Sequence, residues 1–130
     1  NYRMTFGSPK YFGEQAFNDV YCKLIEKARN KQEPIYYEDV AGMMGKTPEE
    51  KMGHYWVNET GYMLKEICEY EHKHNRPMLS AIVVLKEDGL PNKDFFELAR
   101  KLGKITSVSK QDEKEFWKQE LYDIYKTWGY

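Results

Sequence analysis

The sequence predicts an α+β domain, and three observations carry that prediction. Apolar residues recur at helical spacing, as in Phe17, Val20, Tyr21, Leu24, Ile25 and Ala28. One continuous apolar, β-branched run at residues 79–85 has the length of a buried strand. Breaker residues (Pro34, Gly45, Pro77, Gly89 and Gly103) separate the segments at short intervals. No repeat, low-complexity tract or linker divides the 130 residues, so a single domain over 1–130 is expected.

Taken in order, the first helix is expected to open with Ser8 as N-cap and Pro9 at its first position. Lys27, Arg29 and Lys31 near its end suit the negative pole of the helix dipole, and Pro34 stops it. Ile35-Tyr36 suits a short strand. Val40, Ala41 and Met44 then share one face of a short helix closed by Gly45. Thr47-Pro48-Glu49-Glu50 has the form of a capping box, with Thr47 as cap, Pro48 at the first helical position and Glu50 reaching back.

The helix that follows is expected to run towards Asn75, with an interruption near Gly53. Its apolar face is Trp56, Val57, Met63, Leu64, Ile67, Cys68 and Tyr70. Gly61 inside it costs about 1 kcal/mol against alanine, which implies either a close neighbouring backbone or a bend. After Pro77 come the strand at 79–85 and the turn Lys86-Glu87-Asp88-Gly89. Leu90-Pro91 reads as a second, edge strand, the position where proline is tolerated. Asp94 is expected to cap a short helix that Gly103 stops. The last helix presents Phe116, Trp117, Leu121, Ile124, Tyr125 and Trp128, with Asp112, Glu113 and Glu115 in its first turn and Lys126 in its last.

This element order is that of a winged helix: a helix-turn-helix and a small β-hairpin wing, here with additional N- and C-terminal helices. The helix from Gly53 should pack on the first helix and on the strand at 79–85.

Composition limits the function classes. Hydrophobic residues make up 41% of the chain, with 11 Tyr, 6 Phe and 3 Trp, which excludes a disordered chain. The net charge is only -1, so a nucleic-acid surface has to be a local basic patch balanced by acid elsewhere. Cys22 and Cys68 lie far apart on apolar helix faces and are expected to be buried, reduced thiols. They form no metal-type spacing with each other or with His54, His72 and His74, and no metal or cofactor is expected. No apolar run is long enough to span a bilayer and no signal-peptide pattern opens the sequence. A cytoplasmic protein without membrane contact is the expectation.

"IYYEDVAGMMG", the capped helix and "RPMLSAIVVLKEDGLP" resemble the C-terminal DNA-binding domain of the O6-alkylguanine alkyltransferases and alkyltransferase-like proteins, over about residues 35–91. Tyr37 and Val40-Ala41 match one family segment, and Val83-Val84 with Asp88-Gly89 another. The resemblance implies a winged helix and DNA as partner. Where the family carries its reactive Pro-Cys-His-Arg, this chain has Leu79-Ser80-Ala81-Ile82, so the thiolate that alkyl transfer needs is missing. The arginine that would fill the space left by a flipped base is missing too. Residues 76–99 also resemble small uncharacterised bacterial and phage-type proteins, a likeness that brings no biochemistry with it.

The first turns of a groove-entering helix would present Lys51, His54, Tyr55 and Asn58, with Lys46 at the turn and Lys86 and Lys93 on the wing. These seven are the candidate nucleic-acid-binding residues. Glu49 and Glu50 stand beside them and would repel phosphates. Tyr55 stacks on an unpaired base in one reading and is half covered by the fold in the other. Glu66, Glu69, Glu71, His72 and His74 form the densest ionisable cluster. Metal ligation through Glu-x-x-His is the enzyme-like reading, and a solvated helix end is the expectation. No catalytic residue is assigned. The expected function is non-catalytic nucleic-acid binding in a restriction, repair or phage-defence setting. The alternative is a protein-interaction module on the same scaffold, favoured by the near-zero charge and the many aromatic residues.

Overall fold

The computed structural model describes residues 10–30, 35–45 and 55–129. Among them run α1 (Gln15–Arg29), β1 (Ile35–Tyr36), α2 (Tyr37–Met43), α3 (Tyr55–Lys73), a 3-10 turn (Leu79–Ile82), β2 (Val83–Val84), α4 (Lys93–Lys101) and α5 (Lys110–Trp128). The protein is thus mostly helical with one small sheet, α+β in class. The two strands pair in parallel, Ile35 with Val83 and Tyr36 with Val84.

α1 buries Phe17, Val20, Leu24 and Ala28, the stripe that helical periodicity assigns to one face. It begins later than the sequence suggests. Ser8 and Pro9 lie outside the described residues, but residues 10–14 form turns, not helix. Two causes are visible. Gly13 takes the left-handed conformation (φ 91°), which breaks a helix. The backbone N–H groups of Lys10, Tyr11 and Phe12 also turn to the Glu66 carboxylate on α3, at 2.8–3.0 Å.

α2 buries Tyr37, Val40 and Ala41 and ends where Gly45 adopts φ 82°. The capping box at Thr47 to Glu50 lies outside the described residues, as do the side chains of Trp56 and Val57. α2 and α3 pack against each other, so these two helices do not form one continuous rod. α3 closes with Asn75 in the left-handed conformation and the Arg76 N–H on the Glu71 carbonyl at 2.9 Å.

The expected strand at 79–85 is a correction. Leu79–Ile82 forms a 3-10 turn, and only Val83–Val84 is strand. The turn is buried and packs against α1, α3 and α5. A run enclosed on all sides needs continuous apolar character just as a core strand does, so both shapes leave the same pattern in the sequence. Backbone groups there need partners other than a ladder, and α5 provides them. Glu120 Oε1 accepts the Met78 N–H at 2.9 Å, and Trp117 Nε1–H donates to the Ala81 carbonyl at 2.8 Å.

The edge strand at Leu90-Pro91 is also absent. The Leu85 N–H bonds to the Leu90 carbonyl at 2.8 Å, and the Gly89 N–H returns to the Leu85 carbonyl at 2.9 Å. The segment therefore closes a tight loop around Gly89 (φ 70°). The hairpin wing is replaced by this loop, and β2 takes β1 as its partner. At α4 the cap is Asn92, whose side chain accepts the Asp94 N–H, and not Asp94 itself. Gly103 (φ 78°) ends the helix as expected. α5 is capped by Ser109 and buries Ile124, with Phe116, Trp117, Leu121, Tyr125 and Trp128 packed on the core.

The acidic stretch of α3 is the largest departure from expectation. Glu66, Glu69 and Glu71 are buried, not solvated. Glu66 holds the Lys10–Phe12 amides. Glu71 pairs with Arg76 (Nη2 to Oε1, 2.9 Å) and accepts the Tyr21 hydroxyl. Glu59, about two turns before Glu66, takes Lys10 Nζ at 2.8 Å and the Tyr11 hydroxyl. Lys10–Phe12 and Tyr21, which Glu59, Glu66 and Glu71 engage, come from a segment some 50 residues earlier, so sequence proximity does not disclose these contacts.

Candidate nucleic-acid interface

The face of α3 that carries Asn58, Gly61, Tyr62 and Lys65 repeats at helical spacing, so these residues share one side. With α4 opposite and the 3-10 turn beneath, this face walls a pocket of ≈ 330 Å³. That volume is at the lower end of the ~300–1,000 Å³ typical of small-ligand sites. Tyr37 and Phe95 add aromatic wall, Ser80 lies in the lining, and Asn92, Asp94 and Lys101 supply polar groups. Gly61 shows neither feature expected of it. A Cβ built there would meet nothing within 4 Å, and α3 runs unbroken past it.

Tyr37 is fixed by the Asn92 N–H, which donates to its hydroxyl at 3.1 Å. Burial pushes its pKa up to about 12, so the hydroxyl stays neutral in ordinary buffers. Ser80 Oγ lies 3.1 Å from the Cys68 Sγ. Burial, opposed by hydrogen bonds from Ser80, pushes the Cys68 thiol up to about 11. A neutral thiol is a poor base, and among the described residues no imidazole or carboxylate hydrogen-bonds to this pair. Neither atom has the activated neighbour that nucleophilic chemistry requires.

Cys22, expected to be buried, is exposed. It sits two residues from both Val20 and Leu24, which turns it to the far side of α1 from the buried stripe. A thiol reagent should therefore label one equivalent of native protein rapidly, at Cys22. Cys68 should react only when denaturant opens the core. Equal, fast labelling of both thiols in the native protein would contradict the burial and the raised pKa of Cys68.

The sequence-predicted site residues divide three ways. Lys46, Lys51 and His54 lie outside the described residues. Tyr55 opens α3, with its side chain likewise outside them, while Asn58 is exposed and lines the pocket. Lys86, at the loop after β2, is exposed and ion-paired with Glu38 of α2, and its ammonium lies 5.2 Å from the Tyr36 ring centroid. The hydrogen bond that it donates to Glu38 raises its pKa. This pairing places the loop beside the start of α2 and offsets the charge that Lys86 was expected to offer. Lys93 is exposed at the first turn of α4 and stands outside the pocket lining.

Sequence reasoning passed over Lys65, Asn92 and Lys101 and marked Gly61 only for a bend or a close backbone; the four meet through the apposition of α3 and α4. The available signal was Gly61, an unfavourable residue in a helix interior with no turn to explain it. His72 and His74 belong to the other end of α3. His74 Nδ1 is 2.9 Å from the Tyr70 carbonyl, and among the described residues no cluster of His, Cys, Asp or Glu is arranged to hold a metal ion. No helix among the described residues is long and apolar enough to cross a membrane. No protein-family model matches the chain, no curated protein matches it, and no solved structure matches it.

Proposed function

We propose that the chain is a non-catalytic nucleic-acid-binding domain on a winged-helix-like frame, with the tight loop at 85–90 in place of the hairpin wing, whose α3–α4 pocket receives a base that has left its stack. The pocket carries this reading. Tyr37, Tyr62 and Phe95 supply aromatic lining, Asn58 and Asn92 offer amides, and Lys65 and Lys101 bring positive charge beside the Asp94 and Glu97 carboxylates of the same lining, with Lys65 Nζ 4.3 Å from the Tyr62 ring centroid. The frame is supported by the packed α2–α3 pair and by the loop that Lys86 ties to the start of α2. Among the described residues no imidazole or carboxylate hydrogen-bonds to Ser80, in the segment where the resembled family has its reactive motif, which supports a binding role over a chemical one there. A role in restriction, repair or phage defence would use such a domain as a sensor of distorted or unpaired DNA.

A protein partner would call for a contiguous apolar patch. The exposed large apolar side chains among the described residues (Tyr36, Val108 and Tyr122) belong to three different segments, β1, the α4–α5 connection and α5. Anisotropy titrations with paired duplex, single strand, and duplex carrying one unpaired base, at several salt concentrations, test the proposal. Binding should weaken steadily as salt rises and be tightest for the DNA with an unpaired base. No salt-sensitive binding at micromolar protein would end it.

A further inference from the structure

We infer that Gly61 is a specificity-determining position, kept without a side chain so that a flat heteroaromatic ring can lie against the α3 wall of the pocket. The inference rests on the base-binding reading above and adds the residue that sets the width of the site. Gly61 is interior to a helix of 19 residues, where glycine is the weakest ordinary choice. Its backbone does not require glycine, because among the described residues the positive-φ glycines are Gly13, Gly45, Gly89 and Gly103. Packing among the described residues does not require it either, since an added Cβ would meet none of their atoms within 4 Å. The remaining distinction is location. Gly61 lies between Asn58 and Lys65 on the pocket wall, so a methyl group there would project into the space a ring would fill.

Gly42 provides a matched control. It too is a helical glycine with ordinary φ and open space around a built Cβ, but it lies outside the pocket lining. The experiment compares wild type, Gly61→Ala and Gly42→Ala by thermal melting and by binding of two probes. One probe is duplex DNA with a single unpaired 2-aminopurine, measured against the fully paired duplex. The other is free 2-aminopurine riboside, followed by its fluorescence. Both variants should melt at or above the wild-type temperature, because alanine favours the helix. Gly61→Ala should bind paired duplex as wild type does, lose at least tenfold of its preference for the unpaired base, and lose the riboside. Gly42→Ala should keep both.

A lower melting temperature for Gly61→Ala would make the glycine a requirement of the fold and overturn the inference, as would wild-type preference in that variant. The two readings fail separately. If wild type binds no DNA but takes the riboside and Gly61→Ala does not, the nucleic-acid proposal falls and Gly61 keeps its role. If wild type binds neither probe, both are wrong.

Discussion

Replacing Arg76 by alanine is expected to destabilise the protein by about 3 kcal/mol, the lower end of the ~3–5 kcal/mol cost of orphaning one partner of a buried ion pair. Glu71 has a fully buried side chain, and Arg76 meets it through Nε (3.1 and 3.2 Å) and Nη2 (2.9 Å). Arg76 Nη2 also donates to the Tyr21 hydroxyl at 3.2 Å, and that hydroxyl donates to Glu71. The guanidinium lies 5.7 Å from the Tyr70 ring and 5.6 Å from the Trp128 ring, so packing is lost along with charge. The lower end of the range applies because the Arg76 side chain is 27% exposed and water screens part of the pair.

The hydrogen bonds to Glu71 raise the Arg76 pKa, and burial raises that of Tyr21, so the triad is a charged pair with a neutral phenol. Arg76→Lys should not restore stability, since a point ammonium cannot make the forked contact. The double variant Arg76→Met/Glu71→Gln should recover most of the loss, because the penalty lies in the stranded carboxylate. Urea unfolding midpoints give the answer. A single variant within about 0.5 kcal/mol of wild type would show that the pair contributes nothing of this size.

How far the sequence reveals the structure depends on where each element's partners lie. The α1 stripe, the Gly45 stop, the Gly103 stop and the α5 face are governed by contacts within a few residues and by a single apolar side, so periodicity and caps disclose them. The start of α1 is different, because Lys10–Phe12 are held by a carboxylate on another helix, and nothing local to Ser8 or Pro9 reports it. The 3-10 turn at Leu79–Ile82 resembles a strand in composition, and what distinguishes it is Glu120 and Trp117 arriving from α5. Cys22 and Cys68 look alike in sequence and part company only through helix phase. Of the candidate site, Asn58 is visible from its place on α3. The pocket around it requires α4 to lie opposite, and periodicity gives no such relation between two helices.

Glu66→Ala is expected to cost about 3 kcal/mol, from roughly 1 kcal/mol for each of the backbone donors it leaves without an acceptor. The carboxylate, with its residue fully buried, accepts from the N–H groups of Lys10 (2.8 Å), Tyr11 (3.0 Å) and Phe12 (2.8 Å). Consecutive amides converging on one anion form the kind of cradle that otherwise binds phosphate, so the side chain acts as a built-in anion. Glu66→Gln keeps the size but offers a single acceptor oxygen to those donors, and its loss should be intermediate.

The location of the damage separates this from a general core defect. Glu59 still holds Lys10 Nζ and the Tyr11 hydroxyl in the variant, so the segment should loosen and not detach. Amides 10–12 should lose hydrogen-exchange protection first, ahead of α1 and the 3-10 turn. Protection that falls uniformly across α1, α3 and α5, or that stays unchanged at 10–12, would mean the amides do not depend on Glu66. In either case the late start of α1 would rest on Gly13 alone.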